Sequence, residues 1–100
     1  MKQLRPSDDI LLAATVSAMK EKLAENTHKG PITTMVLVEA IERMKIELWE
    51  LLEELNKEEW DYVAIRRELA DVMNYAGAGV VDCDRVIAIS KIINDDLPRP

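Results

Sequence analysis

The sequence predicts an all-α fold of the four-helix-bundle type, in a single domain that spans residues 1–100. Two long antiparallel helices form its centre, with one helix before them and a short helix after them. Two observations predict this arrangement. Apolar residues recur at helical spacing in three long stretches, and residues that favour helix starts and ends lie between those stretches.

The first two helices follow from their end signals and from one apolar seam. Pro6-Ser7-Asp8-Asp9 offers a Ser cap and an acidic first turn, and Gly30-Pro31 cannot continue a helix, so the first helix should cover residues 8–26. The second should cover residues 33–55. Its apolar positions are separated by 4, 3, 4, 3 and 4 residues, which is typical of a bundle seam: Leu37, Ile41, Met44, Leu48, Leu51 and Leu55.

The third helix should cover residues 60–82, after a turn at residues 56–59. Its inner side carries Ile65, Leu69, Val72, Met73 and Ala76. Gly77 and Gly79 either weaken this helix or mark a close contact between two backbones. Asp84 is expected to cap the short fourth helix, residues 85–94.

Composition restricts the classes of function. Hydrophobic residues make up 48% of the chain and charged residues 32%, which is typical of a folded protein. The net charge of −6 argues against a partner that is a nucleic acid polymer. Cys83 is the single cysteine, so it forms no internal disulfide; we expect it to be a small buried side chain in a cytoplasmic protein. No apolar run approaches the roughly 20 residues of a membrane span, so no membrane partner is expected.

Two acidic pairs with the same spacing are the clearest chemical feature. Glu47 and Glu50 lie on the second predicted helix, and Glu68 and Asp71 lie on the third. Residues three apart share a helix face, and each acid comes one residue before a seam residue, about 100° around the helix. Four unpaired carboxylates in one place would repel one another strongly. Such acidic pairs either lie on solvated helix faces, as most do, or form a site for a hard cation such as Mg²⁺, which takes oxygen ligands; the matching offsets of the two pairs favour the site.

Two neighbouring side chains are candidates for ligand contacts. Asn74 follows Asp71 by three residues, and it either adds a neutral oxygen or a held water to the site or lies on the helix surface. Trp49 lies between the glutamates of the first pair. It either stacks on a base or packs in the core or in a subunit interface.

Three segments carry a resemblance to a known family. Residues 46–55 read Ile-Glu-Leu-Trp-Glu-Leu-Leu-Glu-Glu-Leu, residues 67–75 read Arg-Glu-Leu-Ala-Asp-Val-Met-Asn-Tyr, and residues 22–30 read Lys-Leu-Ala-Glu-Asn-Thr-His-Lys-Gly. Together they resemble a small bacterial and phage branch of the MazG-like all-α nucleoside triphosphate pyrophosphohydrolases. Ile46 departs from the family pattern, because the family has a glutamate at that place.

The resemblance implies a MazG-like fold and a hydrolase that splits an NTP or dNTP into the monophosphate and pyrophosphate. It implies that Mg²⁺, or Mn²⁺ in its place, is bound by the two acidic pairs and that Glu50 accepts the proton of the attacking water. The expected substrate contacts are Lys29, Arg67, Asn74 and Trp49. The alternative, which Ile46 motivates, is a non-catalytic helical module that binds nucleotides or proteins.

Several apolar residues fall off the main seams, more than one small bundle can bury. They are Val36, Val38, Leu52 and Val63. We therefore expect a homodimer or a homotetramer in which helices pair across the interface. The family resemblance points to the same assembly, with active sites close to the subunit contacts.

Overall fold

In a computed structural model that describes residues 2–96, the chain forms three α-helices and one turn of 3-10 helix. The helices are α1 (Pro6–Glu25), α2 (Leu37–Leu55) and α3 (Tyr62–Asp96), and the 3-10 turn (Thr27–Lys29) follows α1. No β-strand occurs in the described range, so the all-α prediction is confirmed. Within that range, no helix is both long enough and apolar enough to cross a bilayer.

The predicted start of α1 was two residues late, and its predicted cap was wrong. Arg5 occupies the cap position and Pro6 begins the helix, where its missing N–H costs nothing. The Asp8 carboxylate accepts the Arg5 backbone N–H at 3.0 Å. The chain leaves the 3-10 turn at Gly30, whose φ of 81° favours glycine.

The start of α2 is set by a contact with α3 and lies later than the predicted residue 33. The Leu37 backbone N–H donates to Asp82 Oδ2 at 2.8 Å, so a carboxylate from another helix satisfies one of the free donors of the first turn. Asp82 also accepts a hydrogen bond from Arg85, which in turn donates to the Met35 carbonyl at 3.0 Å and to the Thr33 carbonyl. These contacts fasten the segment before α2 to α3.

The predicted third and fourth helices are one continuous helix of 35 residues, so the prediction of four helices was wrong. Gly77 and Gly79 do not interrupt α3, and Asp84 lies inside this helix, so the prediction that Asp84 caps a helix was wrong. A Cβ at Gly79 would meet Leu37 Cδ1 at 3.3 Å, so the glycine marks a close approach of α2 to α3. Of the two alternatives for the glycines, the close contact is the one found at Gly79.

The long α3 is the centre of the fold, and the other two helices pack antiparallel along it. The contact of Leu37 with Gly79 places the start of α2 near the middle of α3. The hydrogen bond from Asn74 to the Met19 carbonyl and the pairing of Arg67 with Glu25 place the end of α1 along its first half. Both helices therefore border the stretch of α3 that carries Glu68 and Asp71.

The buried apolar core consists of small residues. Its members are Ala18, Ala40, Ala70 and Ala78, and no large side chain of the described range is fully buried. The predicted seam residues keep considerable exposure, for example 42% at Leu37 and 40% at Leu48. The last part of α3 extends beyond α2, and every residue from 83 to 94 is exposed. Cys83 is among them, so the prediction that it is buried was wrong.

Candidate metal centre

Three of the four predicted metal ligands form a compact cluster between α2 and α3. Each of Glu47, Glu50 and Glu68 offers a carboxylate oxygen, and these oxygens lie within 4.8 Å of one another. Glu47 and Glu50 meet because they are three residues apart on α2, and the antiparallel packing of α3 adds Glu68. Glu50 is exposed, whereas Glu47 and Glu68 are partly buried. The cluster is therefore open on one side.

Asp71 lies outside this group of three and faces a cation from α1. Lys22 Nζ is 3.5 Å from Asp71 Oδ2 and 3.7 Å from a carboxylate oxygen of Glu25. Both Lys22 and Asp71 have side chains that are only 15% exposed. Lys22 is the first residue of segment 22–30, which carries part of the resemblance, but helical spacing alone did not show that it would reach an acid on α3.

The electrostatics of the cluster are those of crowded, partly buried carboxylates. Burial, a hydrogen bond with Glu50 and the charge of Asp71 raise the pKa of Glu47 from 4.5 to about 7. Burial and the charge of Glu50 raise the pKa of Glu68. Burial also raises the pKa of Asp71, although Lys22 opposes that shift. Near neutral pH the cluster therefore holds negative charge at a free-energy cost.

Two carboxylate oxygens at the cluster have no partner among the described residues. Glu47 Oε2 and Glu68 Oε2 are buried and accept no hydrogen bond. A buried polar atom without a partner costs roughly 1–3 kcal/mol. A divalent cation would satisfy both oxygens and offset the repulsion between their charges, so the donor set fits a hard metal ion.

The predicted substrate contacts are distributed over different places. Lys29 and Asn74 line a cavity beside Asp71. Arg67 is bound by Glu25, with two hydrogen bonds of 2.9 Å, and Arg66 pairs with Glu21, so both arginines join α3 to α1. Trp49 is 67% exposed and does not belong to the cavity wall. Of these residues, Lys29 and Asn74 are therefore best placed to meet a ligand near the carboxylates.

The cavity also includes residues that the sequence analysis did not select. Arg43 lies one helical turn before Glu47 on α2, a spacing that could have identified it, since both residues share a helix face. Ile32 and Met35 reach the wall from the irregular segment before α2. No periodicity predicts the path of such a segment, so sequence reasoning had no signal for them.

Comparisons of the chain with models of protein families, with curated proteins and with solved structures give no match. A functional proposal therefore depends on the carboxylate cluster, the adjoining cavity and the residues that carry the resemblance. The carboxylate cluster can bind an oxygen-preferring cation, and the adjoining basic residues can bind an anion.

Proposed function

We propose that the chain is a Mg²⁺-dependent nucleoside triphosphate pyrophosphohydrolase, which converts an NTP or dNTP and water into the monophosphate and pyrophosphate. The observation that carries the proposal is the cluster of Glu47, Glu50 and Glu68, in which two buried carboxylate oxygens lack partners. Like charges at this distance are costly unless a cation lies among them. A triphosphate is a natural co-ligand, because bound Mg²⁺ commonly completes its coordination with phosphate oxygens.

The three clustered glutamates would hold the metal, and Asp71 would join them when Lys22 releases it. Mn²⁺ can take the place of Mg²⁺ because carboxylate and phosphate oxygens suit both ions. When bound, the metal supplies Lewis acidity at the phosphate and lowers the pKa of a water molecule. The metal also reverses the sign of the local potential, so that an acidic protein can accept an anionic substrate.

The protein's own side chains would position the substrate and move one proton. Glu50 is the most exposed member of the cluster, and its carboxylate accepts the proton of the attacking water. The water oxygen forms the new bond to the α-phosphorus, the bond from that phosphorus to the oxygen that bridges the α and β phosphates breaks, and pyrophosphate leaves with the bridging oxygen. Lys29 and Arg43 bind phosphate oxygens from the adjoining cavity. The pairing of Arg67 with Glu25 makes Arg67 a weaker candidate for this role.

The resemblance to the MazG-like family supports this reaction, and one residue supports the alternative. Ile46 stands where that family has a glutamate, and this residue is 48% exposed on α2. If catalysis requires a carboxylate at that place, the chain is instead a non-catalytic module that binds nucleotides. The bound nucleotide and metal would then be the same, but no turnover would follow.

We also propose that the protein assembles as a homodimer or a homotetramer. Its accessible surface is 8125 Å². A compact monomer of 11.4 kDa would expose about 5,800 Å², so the excess is roughly 2,300 Å² per chain. A standard interface covers about 800 Å² of each partner, and obligate assemblies cover more. A second copy supplies the missing burial, and a reducing cytoplasm suits an assembly with the exposed thiol of Cys83.

The experiment that tests the activity measures pyrophosphate release from canonical and modified nucleoside triphosphates with Mg²⁺ or Mn²⁺. The double variant Glu50→Gln, Asp71→Asn should lose at least roughly 100-fold in turnover, since it removes the proton acceptor and a second acid of the site. Glu53→Gln is the matched control, because Glu53 is exposed on α2 and lies outside the cluster. A folded wild type that turns over no substrate would contradict the enzyme and favour the binding module.

A further inference from the structure

The cavity beside Asp71 has two chemically different parts. Its volume is about 450 Å³, within the range of sites for small molecules. Its apolar wall comes from the end of α1 and from the segment before α2: Leu23, Pro31, Ile32 and Met35. Its basic residues are Lys29 and Arg43, and Lys29 lies close enough to lower the pKa of Asp71 in opposition to burial. One cavity thus combines an apolar wall with cations and an edge of the candidate metal centre.

Asn74 adds a hydrogen-bond acceptor that no described residue satisfies. The residue is 6% exposed and belongs to the cavity wall. Its Nδ2 donates to the Met19 carbonyl at 3.3 Å, which fixes the orientation of the amide because a carbonyl requires a donor. Its Oδ1 is buried and has no partner. An N–H group of a ligand would remove the cost of this unpaired acceptor, and its approach would require a small shift of the cavity wall, because less than 1 Å² of the oxygen is accessible.

We propose that this cavity binds the nucleoside part of the substrate, with the base against Ile32 and Met35 and a base N–H donating to Asn74 Oδ1. The proposal rests on the proposed function, since the triphosphate would extend past Asp71 to the carboxylate cluster. The cavity would then recognise the nucleoside, and the carboxylate cluster would bind the triphosphate. The segment before α2, which Arg85 fastens to α3, then supplies part of the specificity.

The apolar wall favours a base over a second phosphate group. Phosphate oxygens carry charge and would lose their hydration against Leu23, Ile32 and Met35 without gaining hydrogen bonds. A base is flat and largely apolar on its faces, and it carries donors at its edge. Lys29 and Arg43 are the basic residues of the wall, so they suit the phosphate that is attached to the nucleoside.

The first test fills the cavity and uses the neighbouring residue as its control. Ile32 lines the cavity, whereas Thr33 is exposed and does not, so Ile32→Trp and Thr33→Trp add the same side chain in two environments. Calorimetric titration with AMP, CMP, GMP and UMP, without divalent cations, measures the affinity. We expect Ile32→Trp to bind at least roughly ten-fold more weakly and Thr33→Trp to bind like the wild type. Equal affinity of the two variants, or no binding to the wild type at millimolar concentration, would overturn the proposal.

The second test removes the base donor instead of the protein acceptor. The nucleotide that binds best is compared with its donor-free counterpart: AMP with purine ribonucleoside monophosphate, CMP with zebularine monophosphate, GMP with N1-methylinosine monophosphate and UMP with its N3-methyl derivative. The wild type should prefer the natural nucleotide roughly ten-fold, because an unpaired buried acceptor costs about 1–3 kcal/mol. Asn74→Leu should lose this preference. Equal binding of both nucleotides to the wild type contradicts the role of Asn74 and needs no variant.

A separate titration distinguishes failure of this proposal from failure of the proposed function. Mn²⁺ with tripolyphosphate requires the carboxylate cluster but no base pocket, so Ile32→Trp should bind it as the wild type does. If the wild type binds the nucleotide but does not bind tripolyphosphate with Mn²⁺, only the metal site is contradicted. If Ile32→Trp weakens tripolyphosphate as much as it weakens the nucleotide, the cavity binds phosphate and the nucleoside assignment is wrong.

Discussion

Lys22 on α1 and Asp71 on α3 form an ion pair of 3.5 Å at the edge of the carboxylate cluster, although each side chain is only 15% exposed. The pair is the contact through which α1 reaches the candidate metal centre. Lys22 supplies the positive charge that the crowded acids lack in the metal-free protein. A bound divalent cation would compete with Lys22 for the same carboxylate. The stability of the metal-free protein and its affinity for metal are thus coupled at one residue.

Replacement of Lys22 tests this coupling. In Lys22→Met the Asp71 carboxylate loses its closest cation while it stays largely buried, so we expect the free energy of unfolding at pH 7.5 to fall by about 2 kcal/mol. Urea denaturation in EDTA measures this loss. Saturating Mn²⁺ should restore more stability to the variant than it adds to the wild type, because the metal replaces the missing charge.

The control for that experiment is Lys20→Met, which removes a lysine from an exposed position of the same helix. It should change the unfolding free energy by no more than about 0.5 kcal/mol. Equal losses in the two variants would show that helix charge, rather than the Asp71 contact, controls stability.

The pH dependence of the metal-free protein should have an uncommon sign. The pKa of Glu47 rises from 4.5 to about 7 in the folded protein, mainly because of burial. Its protonated form is therefore favoured by folding, and its contribution to stability is complete below pH 4.5 and is lost as the pH rises through about 7. Glu68 and Asp71 shift in the same direction. Thermal unfolding in EDTA should show a midpoint that falls between pH 5 and pH 8.

Two comparisons decide whether the acids of the cluster cause that slope. Glu47→Gln cannot titrate and should flatten the profile, whereas Glu53→Gln should leave it unchanged. Saturating Mg²⁺ should reverse the slope, because protons compete with the metal for the carboxylates. A wild-type profile that rises from pH 5 to pH 8 without metal would contradict the assigned shift of the Glu47 pKa.

The sequence predicted the helices better than it predicted their contacts. The spacing of the apolar residues in Leu37–Leu55 is a local property, and so is the spacing of the acids in the pairs Glu47–Glu50 and Glu68–Asp71. The structure places these residues on two adjacent helices. The predicted positions of two helix boundaries were wrong for a shared reason. The start of α2 depends on its contact with Asp82, and α3 continues past its predicted end at residue 82 through Arg85, which donates to the Met35 carbonyl. Both are contacts between residues more than 40 positions apart, which no local signal contains.

The site shows the same division between local and distant information. Helical spacing predicted that all four acids meet. Three of them do, but Asp71 pairs with Lys22 from α1. Arg67 satisfied the pattern of a phosphate-binding cation, yet Glu25 from another helix binds it. Apolar periodicity also predicted a core made mainly of large aliphatic side chains and methionine, whereas the buried apolar residues are alanines. Side-chain partners across helices depend on packing distance, which composition does not give.

Asp82 should contribute to stability through the start of α2. Its carboxylate accepts the Leu37 backbone N–H at 2.8 Å, and in Asp82→Ala that donor loses its partner. We expect a loss of about 1 kcal/mol in unfolding free energy, the size typical of a lost helix cap. Hydrogen exchange at the Leu37 amide should be faster as well. Asp84→Ala is the matched control, because Asp84 is exposed two residues further along α3. Equal rates of hydrogen exchange at the Leu37 amide in both variants would show that Asp82 does not determine the start of α2.

The exposed end of α3 should hold the proposed assembly together. The apolar residues of this end are between 52% and 62% exposed: Val86, Ile87, Ile89, Ile92 and Ile93. The chain has a radius of gyration of 17.5 Å, against about 13 Å for a compact protein of this length, so the end extends away from the small core. Light scattering coupled to size-exclusion chromatography should therefore give twice or four times the mass of 11.4 kDa.

A pair of lysine substitutions tests which side of α3 forms that contact. Ile89 lies on the apolar side, while Ala88 shares a helix stripe with Asp84 and Lys91, at spacings of four and three residues. Ile89→Lys buries a charge in the interface and should shift the protein to smaller species at micromolar concentration, with a loss of helix content because the monomer lacks a large core. Ala88→Lys should keep the assembly. A wild type that is a folded monomer at high concentration would show instead that three helices with an alanine core suffice.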